Sequence, residues 1–292
     1  MDYALTLNHV CKRYDQTGFH LNNISFQLPT GTIMGFIGEN GAGKTTTIGC
    51  ILNTLFRDSG SIQIFGQEMT DQSATLREDI GVVYDGNNFP AHFTAGQIAR
   101  IFSGIYQNWD NTLFQYYLDR FGLKKEQKIA KYSKGMTMKL AIAAALSHHP
   151  KLLILDEATS GLDPVMREEM LDIFLDFVGS EAHSILLSSH ITSDLEKIAD
   201  YITFIHHGQI ILSETKDRLL YDYALVRCTK QQLLSLERSD FIVCRQQGYQ
   251  YNLLTNSRQA AERKYTDIII DDPSLDEIML TLIKGETNDR TY

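Results

Sequence analysis

Eight consecutive residues, Gly38-Glu39-Asn40-Gly41-Ala42-Gly43-Lys44-Thr45, fit the spacing G-x-x-x-x-G-K-[ST]. Glycines let such a backbone curl until successive N–H groups converge on an anion. A helix starting beside them adds the positive end of its dipole. In a cradle of this kind Asn40, Gly41, Ala42 and Gly43 line a phosphate chain and Lys44 holds the β- and γ-phosphates. Thr45 offers its hydroxyl to Mg²⁺, and Thr46 is placed to bond a neighbouring phosphate oxygen. Average composition would produce such a match by chance in about one chain in a hundred of this length. A plain glycine turn, the alternative, leaves the flanking strand and helix patterns unexplained.

The second chemical element is Leu152-Leu153-Ile154-Leu155-Asp156-Glu157, an apolar run ending in two carboxylates. Such a run is expected to be a buried central strand, which puts the acids at the sheet edge where doubly wound folds bind ligands. Asp156 is then expected near Mg²⁺, directly or through water, and Glu157 is positioned to polarise an attacking water. Many strands end in acids that are merely solvated, but a phosphate loop upstream turns the pair toward nucleoside triphosphate hydrolysis.

These residues need a frame. Residues 4–10 and 19–28 alternate like half-buried strands and predict an antiparallel opening sheet. Ile33–Ile37 reads as a short buried strand leading into the glycine loop. Beyond the loop Ile48, Ile51, Leu52, Leu55 and Phe56 recur at helical spacing, predicting one apolar helix face. Residues 87–148 lack strand patterns and predict an inserted helical subdomain. From residue 151 the β/α alternation resumes with LLILD, SILLSS, a helix from about Ser193 and a hairpin turning at Gly208. The first domain is expected to span 1–218. Residues 219–292 are expected to form a small α+β appendage with a closing helix started by Pro273 and Ser274.

With these motifs in place the chain resembles the ABC family of transporter ATPases. Tyr132-Ser133-Lys134-Gly135-Met136 resembles the family signature, usually a Ser-Gly-Gly triplet, and precedes the helix-forming run MKLAIAAALSHH. Ser160-Gly161-Leu162-Asp163 resembles the loop that crosses the dimer interface. His190 resembles the switch histidine, and Tyr14 lies where the family places an adenine-stacking ring, unless it simply packs on the opening sheet. The resemblance implies an α/β P-loop NTPase of ABC type, with an antiparallel β subdomain, a RecA-like core and a helical insert. It implies that ATP and Mg²⁺ are bound between two copies, Ser133, Lys134 and Gly135 facing the other copy's γ-phosphate and Asp163 lying at the interface. Glu157 and His190 are the implied catalytic pair, and Thr45, Asp85 and Asp156 the implied metal-side residues.

Three positions depart from the pattern. Lys134 stands in place of the middle signature glycine, and Asp85, after Ile80-Gly81-Val82-Val83-Tyr84, stands where glutamine or sometimes glutamate is expected. Aspartate still offers an oxygen but is shorter than either, and unlike glutamine it is charged, predicting retained hydrolysis with altered coupling. Ala158 replaces a proline common after the catalytic glutamate, which removes no reacting group.

The bulk properties narrow the class. A formal charge of −9, with scattered Lys and Arg, argues against nucleic acid as partner. No apolar run is long enough to span a bilayer, and the opening MDYALTLNHV has no leader pattern, so the chain is expected to be made and kept in the cytosol; the resemblance implies a peripheral subunit at the cytoplasmic side of the cell membrane. Cys11, Cys50, Cys228 and Cys244 show no metal or disulfide spacing and are expected to be reduced.

The narrower resemblance is to bacterial peptide and antibiotic exporter ATPases. It implies a separate membrane-spanning permease and a second ATPase subunit, identical or not. Phe89, Phe93 and Phe102 are then either docking residues or helical core. Alternatives are an ABC-type ATPase with no membrane partner, a weakly hydrolysing half of a heterodimer, and another P-loop enzyme. The last lacks support because no N-K-x-D guanine-reading sequence is present.

Overall fold

Strand Ile33–Ile37 is buried at every residue, and so are Leu152–Asp156 and Ser184–Ser189. That pattern belongs to a parallel sheet covered on both faces. The computed structural model describes residues 2–16, 18–86, 88–179 and 182–287. Asn87, where the helical insert is expected to begin, and residues 288–292 of the expected appendage lie outside them. The chain divides into two compact units, Met1–Ile210 and Ile211–Tyr292.

In the first unit Tyr201–His206, Ile33–Ile37, Ser184–Ser189, Leu152–Asp156 and Ile80–Val83 lie side by side in that order. The pairings flanking Ile33–Ile37 and Leu152–Asp156 are parallel. Chain order therefore jumps across the sheet, as in doubly wound folds, and the carboxyl ends of these five strands share one edge. The register sets Asp156 beside Ser188 and Val83 beside Leu155, so Asp85, Glu157 and His190 all emerge there.

A second sheet, antiparallel, orders His20–Pro29, Tyr3–Arg13, Ser59–Ile64 and Gln67–Glu68. Its inward residues Leu5, Leu7, Ile24 and Ile62 join Ile48 and Ile51 in one apolar cluster. The helix bearing Ile48 is shorter than its spacing predicts. It runs Lys44–Ile51, because Asn53 turns left-handed at φ 55° and breaks the i→i−4 ladder. Leu52 and Leu55 still pack on the cluster, whereas Phe56 is 66% exposed, so the predicted apolar face ends before it.

Between Ile80–Val83 and Leu152–Asp156 the described chain holds helices Ala95–Phe102, Asn111–Arg120 and Lys134–Leu146. Each starts on a side-chain cap: Thr94 with Gln97 in a capping box, Asp110 on Thr112 and Leu113, and Ser133 on Met136. Phe102 meets Phe89, Tyr106 and Trp109 at 5.6–6.0 Å between ring centroids. Phe89 and Phe102 are thus half-buried aromatic core, and the exposed apolar side chains of that first helix and its exit are Ile101 and Ile105.

The second unit holds an antiparallel sheet ordered Ile269–Asp271, Ala224–Thr229, Gln250–Thr255, Val243–Gln247 and Glu286–Thr287. Val226, Phe241, Leu253 and Tyr265 form its small core. The closing helix Leu275–Lys284 begins in a capping box between Ser274 and Glu277.

Candidate functional site

The loop after Ile33–Ile37 curls as its glycines allow. Gly41 has φ +81° and Gly43 φ +117°, and a Cβ on Gly43 would sit 2.7 Å from Leu21 Cδ2. Both conformation and space exclude a side chain at Gly43. Lys44 opens the helix and is buried, with Nζ donating to the Gly38 carbonyl at 2.7 Å. The helix has no side-chain cap, so its first amides face the loop mouth.

The loop bounds a cavity of about 670 Å³, which Asn40, Gly41, Gly43, Lys44, Thr45 and Thr46 line on one side. Asp85, Asp156, Glu157 and Tyr14 also line it. Ala42 is expected in the cradle, but it is buried and its N–H donates within the loop to the Glu39 carbonyl. Two lining residues were not foreseen, Phe19 and Glu39. Phe19 belongs with Tyr14: the Tyr14 N–H donates to the Phe19 carbonyl at 2.9 Å, and the rings lie 6.4 Å apart. An aromatic residue returning across a glycine turn was the available signal.

Glu157 is the centre of the arrangement. Its φ of 55° is left-handed, uncommon for a non-glycine residue, and turns it off the end of the buried strand. One carboxylate oxygen, Oε1, lies 3.2 Å from Lys44 Nζ, and the other, Oε2, lies 2.6 Å from His190 Nδ1. The carboxylate is therefore clamped between a buried cation and an imidazole at the end of the neighbouring strand. The clamp orients the carboxylate within the cavity it lines, and release of Lys44 is what would open Oε1 to a water.

Beside it Thr45 Oγ1 donates to Asp156 Oδ2 at 2.9 Å, while Asp156 Oδ1 is buried with no hydrogen-bond partner. Unpaired buried carboxylate oxygens are costly, so this one marks a place for a cation. The donors suit magnesium, a hard ion that takes one or two protein carboxylates and completes its shell with phosphate oxygens and water. Among the described residues no cluster of three or more His, Cys, Asp or Glu could hold a metal alone, and magnesium so bound requires none. Tyr84, next to the cavity, has its phenol pushed up by burial and then by the charge of Asp156.

Asp85 sits on the loop after Ile80–Val83, which Asn88 braces by donating to the carbonyls of Tyr84 at 2.9 Å and Gly86 at 3.1 Å. The remaining predicted site residues lie away from the cavity. Ser133 caps its helix, Gly135 packs on Met166, and Asp163 caps helix Pro164–Val178 by accepting from Val165 and Met166 at 3.1 Å. Lys134 reaches back to Asp85 of its own chain, Nζ to Oδ1 2.9 Å.

A family model described as "ABC transporter" matches residues 21–160. The bacitracin transport ATP-binding protein BcrA of Enterococcus faecalis is 32% identical over 213 residues, 72% of this chain and 69% of that protein. The lantibiotic transport ATP-binding protein SrtF of Streptococcus pyogenes is 36% identical over 199 residues, 68% of this chain and 85% of that protein. A solved ATP-binding subunit of an ABC transporter superposes with a TM-score of 0.67 at 26% identity, covering 74% of this chain and 91% of the other.

Proposed function

Because the chain belongs to the ABC transporter family, as an ATP-binding subunit that hydrolyses ATP, we propose that it is the motor of an exporter for peptide or antibiotic-like cargo, acting with a separate membrane-spanning permease. The observation that carries the catalytic part is Glu157 held between Lys44 and His190 beside the unpaired Asp156 oxygen.

In this mechanism the loop amides and Lys44 grip the phosphates of ATP, and the Tyr14 and Phe19 rings supply apolar faces for the base. Thr45 and Asp156 would hold Mg²⁺, with Asp85 at the cavity rim. When bound, the ion neutralises charge that develops on the transferring phosphoryl group. Glu157 takes the proton of the attacking water, and His190 keeps the carboxylate oriented and stabilises its charge. Lys44 moves from Glu157 toward the phosphates as they enter, which frees Oε1 for the water.

Two copies, or this chain and a related subunit, close over two nucleotides. The helix start at Ser133 and Gly135 then faces the other copy's γ-phosphate, with Lys134 turned to Asp85 of its own chain, and Asp163 lies at the contact. Among the described residues no helix is long and apolar enough to cross a membrane, which fits a subunit held at the cytoplasmic face by its permease. Nucleic acid is not a partner in this scheme.

The test is recovery of Glu157→Gln protein from detergent-solubilised native membranes with ATP present, since blocked hydrolysis preserves the closed complex. A stoichiometric polytopic membrane protein is expected with it. Recovery from cytosol alone, with partners that lack membrane spans, would contradict the transport assignment.

A further inference from the structure

We propose that Lys134 is a positioning residue of the nucleotide site in its own chain, the counter-ion that holds Asp85 at the cavity rim and offsets its charge. The proposal rests on the ATP-binding function above. Of the described residues lining the cavity, Glu39, Asp85, Asp156 and Glu157 are acidic and Lys44 alone is basic. Lys44 is already engaged by Glu157 and the Gly38 carbonyl, and a metal would answer Asp156. Asp85 would otherwise present an uncompensated negative charge to an incoming polyphosphate.

Lys134 supplies the compensation from outside the cavity lining. Its Nζ lies 2.9 Å from Asp85 Oδ1, with both side chains 46% exposed. An exposed pair of this kind is ordinarily worth little, because two long side chains must be ordered to form it. Here the lysine has a seat. Its stem crosses Gly161, at φ +70°, where a Cβ would stand 3.1 Å from Nζ and 3.5 Å from Cδ. Beneath it the helix start is docked by Gly135, where a Cβ would meet Met166 Cε at 2.3 Å. The lane over Gly161 and the close approach at Gly135 aim the ammonium at Asp85. Two of the three positions at which the sequence departs from its family pattern thus become partners of opposite charge.

The pair can be separated from fold and from hydrolysis by calorimetric titration of the full chain with Mg-ATP and Mg-ADP, in a Glu157→Gln background so that ATP is not consumed. Lys134→Met keeps the stem over Gly161 and removes the charge. It is expected to weaken Mg-ATP binding by about three- to tenfold, and Mg-ADP binding less, because the γ-phosphate brings additional negative charge to the cavity. Asp85→Asn added to Lys134→Met should return the affinity to within about twofold of the parent, and 0.5 M salt should shrink the whole effect. An unchanged affinity in Lys134→Met, or a loss that Asp85→Asn does not relieve, would overturn the proposal. A parent chain that binds no Mg-ATP would instead sink the nucleotide assignment, and the proposal with it.

Discussion

The two units of the chain treat their polar groups in opposite ways. In Met1–Ile210, carboxylate oxygens of Asp156 and Asp194 are buried without a hydrogen bond, along with Ser188 Oγ and Arg167 Nε, and Glu157 Oε1 has only its ion pair with Lys44. In Ile211–Tyr292 Asn252 Oδ1 alone, among the described residues, is left in that condition. That unit's charges are paired near the surface: Arg227 bridges Asp271 and Glu277, and Lys264 bridges Glu237 and Asp240. Backbone strain divides the same way, since every described non-glycine residue with positive φ, Glu157 included, lies in the first unit. The orphaned Asp156 oxygen and the left-handed turn at Glu157 cost stability and lie in the cavity, where a ligand can satisfy them. Satisfied, half-exposed pairs do no more than hold a small sheet together.

Breaking the first pattern should have the largest consequence. Lys44→Ala removes a buried ammonium that answers Glu157 and, in the complex, the phosphates. Mg-ATP affinity is expected to fall by about two orders of magnitude or more, read by equilibrium titration. A loss below about fivefold would mean that the loop amides bind the nucleotide without it.

Asp194 probes the cost of the orphans within the same unit. It is buried, and Arg167 Nε stands 3.8 Å from Oδ2, too far for a hydrogen bond. Burial pushes its carboxyl above the ordinary carboxylate range, with Thr159 and then the charge of Arg167 only partly opposing this. The raised folded-state pKa means that its stabilising contribution is complete below the unfolded carboxyl's pKa and is lost as pH rises through the folded value. Asp194→Asn should therefore stabilise the protein at pH 7, by about 1 kcal/mol on the scale of an unpaired buried polar group, and change little near pH 3. Denaturant titrations at both pH values decide it, and destabilisation at pH 7 would show that the Arg167 attraction outweighs burial.

The smallest effect is expected in the second unit. Arg227→Ala gives up the contacts to Asp271 and Glu277 at a quarter-exposed site. It should cost about 1 kcal/mol in thermal unfolding and leave ATP turnover within about twofold of the parent. A large loss of turnover in folded Arg227→Ala protein would erase the contrast between the units.

What could be read from sequence was what is contiguous. The phosphate loop and the strand Leu152–Asp156 declare themselves because their chemistry depends on neighbours along the chain. The clamp on Glu157 depends on a left-handed φ and on the parallel register that brings Ser188 beside Asp156, and neither leaves a local pattern. The Asp85–Lys134 contact was invisible for the same reason, although both residues stood out singly as departures. Helical spacing overran at Phe56 because periodicity does not register the turn at Asn53. In the helical region it could not tell a core aromatic such as Phe102 from an exposed one, since both satisfy one apolar spacing.

The central claim is that Glu157 is the base and the loop is the grip, two separable functions within one cavity. Glu157→Gln keeps the side chain's shape and removes its basicity. Turnover and Mg-ATP affinity measured on the same preparation should give hydrolysis reduced by about a hundredfold or more with affinity essentially unchanged. Hydrolysis at the parent rate in a variant that still binds Mg-ATP would contradict the assignment of Glu157 and the mechanism built on it.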